Sequence, residues 1–156
     1  MDMNEFARTY FNFCNEVGLR PAQVIVSAGG ALLMLGLRER CEDLDLDVPA
    51  STYALQRYRL GAEKERVTKH GTFLDYNEKV SLQRLPTGIT VQTVNGIWLY
   101  SLDDLIRQKE ALIQSLDRTP LKVKQDLIDI LRLRRDVVIG LSRCWNTRKT
   151  DNPIQR

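Results

Sequence analysis

The segment from Val24 to Val48 constrains the fold more than any other part of the chain. It opens with the apolar run Val24-Ile-Val, passes through Ser27 and the pair Gly29-Gly30 into a second apolar run, and closes on Glu42-Asp-Leu-Asp-Leu-Asp-Val48. The pattern predicts a first strand over 24–27, a double-glycine turn, a helix from Ala31 to about Glu39, and a second strand over 44–48 that Pro49 ends. Side chains on a strand alternate faces, so Asp43, Asp45 and Asp47 share one side while Leu44, Leu46 and Val48 share the other. Successive carboxylates on that side stand about 7 Å apart. Like charges at this spacing repel wherever water is partly excluded. Oxygen donors of this kind suit a hard divalent cation such as Mg²⁺. Upstream, Gly29 and Gly30 allow close approach of the backbone to a ligand, and a helix opening there aims free N–H groups at phosphate. A phosphate cradle followed by an acidic strand points to phosphoryl or nucleotidyl transfer.

A calcium loop is the obvious rival for three alternating aspartates, and it fails on spacing. With Asp43 in the first position, Val48 falls where the loop needs glycine and Ala54 where it needs a bidentate glutamate. Composition sets the remaining bounds. At 156 residues, with 43% hydrophobic and 28% charged residues, the chain suits one ordinary globular domain. Residues 1–145 are expected to form it, with 146–156 a polar tail. The longest stretch without a polar side chain, Ala28 to Leu37, is too short to span a bilayer. The start, Met-Asp-Met-Asn-Glu, lacks the basic opening of a secretion signal. Cys14, Cys41 and Cys144 form no paired motif, which fits a reducing, cytoplasmic setting.

The other elements follow from caps and periodicity. Asp2 and Glu5 have capping-box spacing ahead of a helical repeat that Gly18 can end. Ser51 can cap a short helix. Residues 64–100 read as β-structure, with strands over 72–76, 80–85, 89–94 and 97–100 and an Asn95-Gly96 hairpin. Ser101 opens a helix to about Leu116, and Thr119-Pro120 starts another. In the first of these, Lys109 falls inside the apolar stripe of Leu105 and Leu112 and needs an anionic partner or a route to water. His70, the only histidine, reads as an exposed loop residue.

The order strand, Gly29-Gly30, helix, Asp43-Leu-Asp-Leu-Asp47 resembles the signature of the DNA polymerase β-like nucleotidyltransferase superfamily. The resemblance implies an α/β (α+β) domain of the minimal nucleotidyltransferase fold, a mixed sheet with flanking helices and a C-terminal helical segment. It places two metal-binding carboxylates on Asp43 and Asp45, with Asp47 as a supporting or alternative ligand. A third carboxylate is expected from a neighbouring strand. The lincosamide nucleotidyltransferase branch has a similar acidic triplet and a later Gly-aromatic-Leu-Asp element, similar to the segment from Gly71 to Tyr76. That match assigns Asp75 as general base or metal ligand, with Glu78 as the substitute. The abortive-infection type branch has a basic residue where Arg40 stands and a helical lysine similar to Lys109. It also has a Lys-Asp-x-x-Asp helix that resembles Lys124 to Leu131, with Gln125 interrupting the usual pair. Ser27, Gly29, Gly30, Arg40 and Lys109 are thereby candidates for nucleotide binding. For Arg40 a carboxylate partner remains an equal alternative, and for Lys109 a structural pair with Asp126 or Asp129. Cys41 departs from the family's usual Ser or Thr.

The implied reaction moves a nucleoside monophosphate from an NTP, ATP included, to a hydroxyl acceptor and releases pyrophosphate, with Mg²⁺ or Mn²⁺ as cofactor. The acceptor is open between a small molecule, an RNA 3′ end and a protein. The chain leaves little beyond the core to build an acceptor site, so completion by a second copy in a homodimer is one arrangement it allows. The other function class is a non-catalytic protein of this fold, of the antitoxin or phage-inhibitor kind. Charge supplies a third: residues 132–156 carry seven Lys or Arg against two Asp, a local balance of +5 in a chain of net +3. That basic end reads as a solvated tail or, with Trp145 stacking on a base, as a nucleic-acid contact.

Overall fold

A computed structural model of the chain describes residues 1–146. The tail beyond Asn146 and the side chains of Trp145 and Arg143 lie outside the described residues. The chain divides into two compact units, Met1–Ser101 and a second beginning at Leu102. The architecture is α+β, a mixed β-sheet with helices and a C-terminal helical segment.

The first unit opens with α1 (Met3–Val17). Its start is fixed by the capping box read from the sequence: the Asp2 side chain accepts from Glu5 N at 2.9 Å, and Asp2 N donates back to Glu5 at 2.8 Å. Gly18, at φ +75°, closes it in the left-handed region that glycine enters without cost. Then come β1 (Ile25–Val26), α2 (Ala28–Met34), β2 (Leu44–Val48), α3 (Ala50–Leu60), β3 (Glu65–Thr68), β4 (Gly71–Asp75), β5 (Val80–Arg84), β6 (Val91–Val94) and β7 (Ile97–Tyr100). The seven strands form one sheet in the order β3-β4-β5-β2-β1-β7-β6. β2 pairs parallel with β5, and β1 parallel with β7; the other pairings are antiparallel. Asn95 (φ 50°) and Gly96 (φ 80°) make the tight turn between β6 and β7.

The acidic strand sits near the middle of this sheet. Leu44, Leu46 and Val48 are completely buried, as are Val26, Leu82, Leu74 and Leu99 on the same face. Helices α1 and α2 cover that face: a side chain at Gly30 would meet Val26, Phe6 and Leu44. Helix α3 joins them through Tyr53, whose ring lies 3.9 Å from the Arg84 guanidinium. Burial of this aliphatic row, at about 1.5–3 kcal/mol per large side chain, holds the acidic strand in register.

Most elements shift by a few residues at their ends from the sequence expectation, and the larger differences have physical reasons. The helix after β1 starts at Ala28 and stops at Met34, so Gly29 and Gly30 lie within its first turn and form no turn ahead of it. Glycine's poor helix propensity hides this start. Packing explains it, since Gly30 sits where α2 meets buried Phe6 and Val26. Strand β3 is unexpected because three of its four residues are polar and Val67, the exception, is exposed. The strand expected over 89–94 begins at Val91.

The second unit contains α4 (Leu102–Ile113) and α5 (Pro120–Asn146), packed on each other through buried Leu105, Ile130 and Leu133. Among the described residues no helix is long and apolar enough to cross a membrane.

Gly30→Ala tests the packing reading. A Cβ there would lie 3.0 Å from Val26 and 3.1 Å from Phe6, both fully buried, so the neighbours would have to shift by a few tenths of an ångström. Overpacking outweighs the gain in helix propensity, so a loss of about 1–2 kcal/mol is expected in urea unfolding. Unchanged or higher stability refutes the close approach.

Candidate metal and nucleotide site

Strand pairing brings the acidic residues together. In the parallel β2–β5 ladder Asp45 lies opposite Ser81, and in the antiparallel β4–β5 ladder Ser81 lies opposite Asp75. Asp45, Ser81 and Asp75 therefore form one row across three strands, on the face opposite the leucines. With strands about 4.8 Å apart, the outer two Cα atoms of the row stand about 10 Å apart. Asp43 lies just before β2 and is exposed. Together with Asp75, Ser81 and Glu78 it lines an open cavity of about 450 Å³. Lys64, Arg66 and Lys79 line the same cavity, so its acidic side chains face three cations of the chain itself.

Asp75 is the most constrained member. Arg66 Nε lies 2.9 Å and 3.0 Å from its two oxygens, and Ser81 Oγ donates to it at 3.1 Å. The hydrogen bond from Arg66 holds the Asp75 carboxyl below its ordinary value, against the opposing effect of partial burial. Arg66 comes from β3, where it pairs with Phe73 in register, and its guanidinium lies 5.7 Å from the Phe73 ring centroid. From there it also reaches Ser81 Oγ at 3.2 Å. The Asp75 hydrogen bond raises the Arg66 pKa, and the charges of Asp45 and Asp43 add to that rise. Arg66 is one of the site residues that sequence reasoning misses, with Ser81, Lys64 and Lys79. It belongs to an unrecognised strand, and only the register with β4 aims it at Asp75.

Asp47 has a different fate. It is 4% exposed, and its carboxylate accepts from the Tyr100 hydroxyl on β7. Burial pushes its pKa up to about 7, against the lowering effect of the Tyr100 hydrogen bond, and the nearby Asp45 charge pushes it further. Asp47 does not line the cavity of Asp43 and Asp75.

The other candidates fall elsewhere. Ser27 caps α2 without a side-chain bond to the helix; its Oγ donates to the Asp45 carbonyl at 3.3 Å, and its amide reaches the same oxygen at 3.0 Å. A side chain at Gly29 would meet Arg38 and Cys41 at 3.2 Å. Asp45, Ser27, Gly29, Gly30 and Arg40 are not among the residues lining the cavity. Arg40 pairs loosely with Glu5 at 3.7 Å on the surface, the carboxylate alternative open to it from the sequence.

Lys109 belongs to the second unit and takes its structural alternative. Its ammonium lies 2.9 Å from Asp126 and 3.1 Å from Asp129, all three side chains buried. Arg118 holds Asp126 with two further bonds at 2.9 and 3.1 Å, and Gln125 donates to Asp129 at 3.0 Å. Two cations thus balance two anions inside the helix pair.

Among the described residues no group of three or more Asp, Glu, His or Cys side chains stands together as it would around a metal ion. Asp75 turns toward Arg66 and Asp47 toward Tyr100. No protein-family model matches the chain, and no curated protein matches it.

Two stability measurements follow. Asp47 has a folded-state pKa near 7 against an ordinary 3.8, so its cost is absent well below pH 4, grows as pH rises from about 4 to 7, and is fully present above 7. Asp47→Asn is expected to leave stability unchanged at pH 4 and to raise it by about 2–4 kcal/mol at pH 8. Equal effects at both pH values refute the buried-carboxyl account. Lys109→Met removes the ammonium shared by the buried Asp126 and Asp129, and a loss of about 3 kcal/mol is expected in urea unfolding; a neutral result contradicts a buried ionic cluster.

Proposed function

We propose that the first unit is a metal-dependent nucleotidyltransferase, moving a nucleoside monophosphate from an NTP to a hydroxyl acceptor. One observation carries the reading. Asp45 and Asp75 lie in one cross-strand row with Ser81 between them, and Asp43 shares an open cavity with Asp75 and Ser81. Carboxylate and hydroxyl oxygens are the donor type that suits a hard divalent ion such as Mg²⁺ or Mn²⁺, and binding one would require these side chains to draw together from where they stand. Asp43 and Asp45 would hold the ion, with Asp75 completing the set. When bound, the ion supplies charge stabilisation to the attacking and leaving oxygens.

The chain's own residues then divide the work. Asp75, held ionised by Arg66, suits ligation better than proton abstraction, since a weakly basic carboxylate is a poor proton acceptor near neutrality. Lys64 and Lys79 line the same cavity and offer positive charge to a polyphosphate. The buried leucine row beneath keeps the carboxylates fixed. Lys109 has no part in this reading, because its charge is spent within the helix pair.

A second reading, a binding protein of the same architecture without turnover, is favoured by the Arg66–Asp75 pair, which compensates one carboxylate with no ion required. Incubation of the full chain with each radiolabelled NTP, Mg²⁺ and pools of RNA, protein or small metabolites separates the two. The expected outcome is label in one pool with release of pyrophosphate, lost by at least about 100-fold in Asp43→Asn and in Asp45→Asn while both variants stay folded. Transfer that survives in both variants sinks the assignment. Metal binding without any turnover leaves the binding-protein reading in its place.

A further inference from the structure

The buried ionic cluster draws negative charge away from the outer side of α5. This helix carries three acidic residues, Asp126, Asp129 and Asp136. Two of them turn inward onto Lys109, and at about 100° per residue Asp136 lies on the far side of the helix from Val138. The side left to solvent is apolar and basic. Leu127, Leu131 and Val138 are 49%, 67% and 64% exposed. Their spacing puts them in one stripe about 40° wide. Lys124 and Arg134 fall in the same stripe, which gives a 3-4-3-4 spacing from Lys124 to Val138, with Arg135 beside it. That is the spacing of a seam between two helices. Lys124 and Arg135 are exposed with no acidic partner among the described residues, while Arg134 meets Glu110 of α4 at 2.6 Å.

We propose that this stripe is a docking surface for an acidic amphipathic helix of a partner protein, with aliphatic residues at the seam positions and Glu or Asp beside them. Charge decides the occupant. A second copy of the chain would set the same cations against one another. The ten residues after Asn146 carry Arg148, Lys149 and Arg156 against Asp151, with one isoleucine, so they match the stripe in neither charge nor apolarity. A helix that lies on a lipid surface presents a broad apolar face with large hydrophobic residues, whereas here three aliphatic side chains form a narrow seam with cations inside it. An acidic helix answers both parts. Its aliphatic side chains cover Leu127, Leu131 and Val138, and its carboxylates meet Lys124 and Arg135. The packing of α5 on α4 holds the stripe ready, so little ordering is lost on binding.

The test uses the full chain and three labelled peptides: a heptad peptide with leucine at both seam positions and glutamate flanking them, its counterpart with lysine flanking them, and a scrambled version of the first. Fluorescence anisotropy is expected to show one-to-one binding of the glutamate peptide alone. Leu131→Glu is expected to weaken it at least about 10-fold, and Lys124→Glu about 3- to 5-fold. Both positions are exposed, and circular dichroism checks that the variants stay folded; Leu131→Ser gives the same reading should the glutamate variant misfold. Equal binding of the glutamate and lysine peptides, equal binding of the scrambled peptide, or binding that neither substitution weakens overturns the proposal. Failure of the glutamate peptide to bind overturns it as well. In that case a dimer in sedimentation velocity that Leu131→Glu dissolves assigns the stripe to a second copy, and flotation with phosphatidylserine vesicles that Leu131→Glu abolishes assigns it to a lipid surface.

Discussion

Compensation of like charge on one face of a central strand is the constraint from which the rest of the first unit follows. Strand β2 alternates leucine and aspartate, so the burial that anchors its aliphatic side also fixes where the carboxylates go. A one-residue slip would put aspartates into the core, which makes the register costly to change. Once that register is set, each carboxylate needs its own answer to the field of its neighbours, and the answers differ. Asp47 is buried against Tyr100 and held near the point of protonation. Asp75, joined to the row by β5, is paired with Arg66. Asp43 stays at the exposed end of the strand, in an open cavity. Asp43 and Asp47, which look equivalent in a string of letters, thus occupy different electrostatic situations, and Asp75 a third.

The second unit shows the same physics with the opposite outcome. Lys109 enters an apolar helix face, and α5 supplies Asp126 and Asp129 one helical turn apart to receive it. Arg118 then satisfies the second side of Asp126. Removing charges from water is costly, and a closed set of this kind fixes the pairing of two helices more than it adds net stability. The lysine that resembles a phosphate contact by its position in a helix is, in this chain, part of an internal lock.

Much of the fold was legible because the deciding interactions are local. The Asp2 and Glu5 capping box, the Asn95-Gly96 turn, the strand over Leu44–Val48 and Pro120 at the head of the last helix are each set by residues within four positions of one another. The glycine pair was misplaced because a helix that begins with glycines contradicts local propensity, and only the approach of Phe6 from a distant segment explains it. The site was legible in half. Asp43 and Asp45 follow from alternation alone, and Asp75 came from a resemblance. Arg66 and Ser81 reach Asp75 through the register of neighbouring hairpin strands, and Ser81 reaches Asp45 only through the distant β2–β5 pairing, neither of which hydrophobic alternation alone encodes. Whether Lys109 met phosphate or aspartate was likewise a question of which helix lies beside it.

The order of strands carries one more consequence. β3 bonds to a neighbour on one side only, while β2 and β5 are flanked on both. Amide protection is therefore expected to fall from the middle of the sheet toward β3, with the terminal strand breathing on its own while the interior stays closed. The row of Asp45, Ser81 and Asp75 thereby rests on strands held from both sides, while Arg66 is carried by a strand held from one.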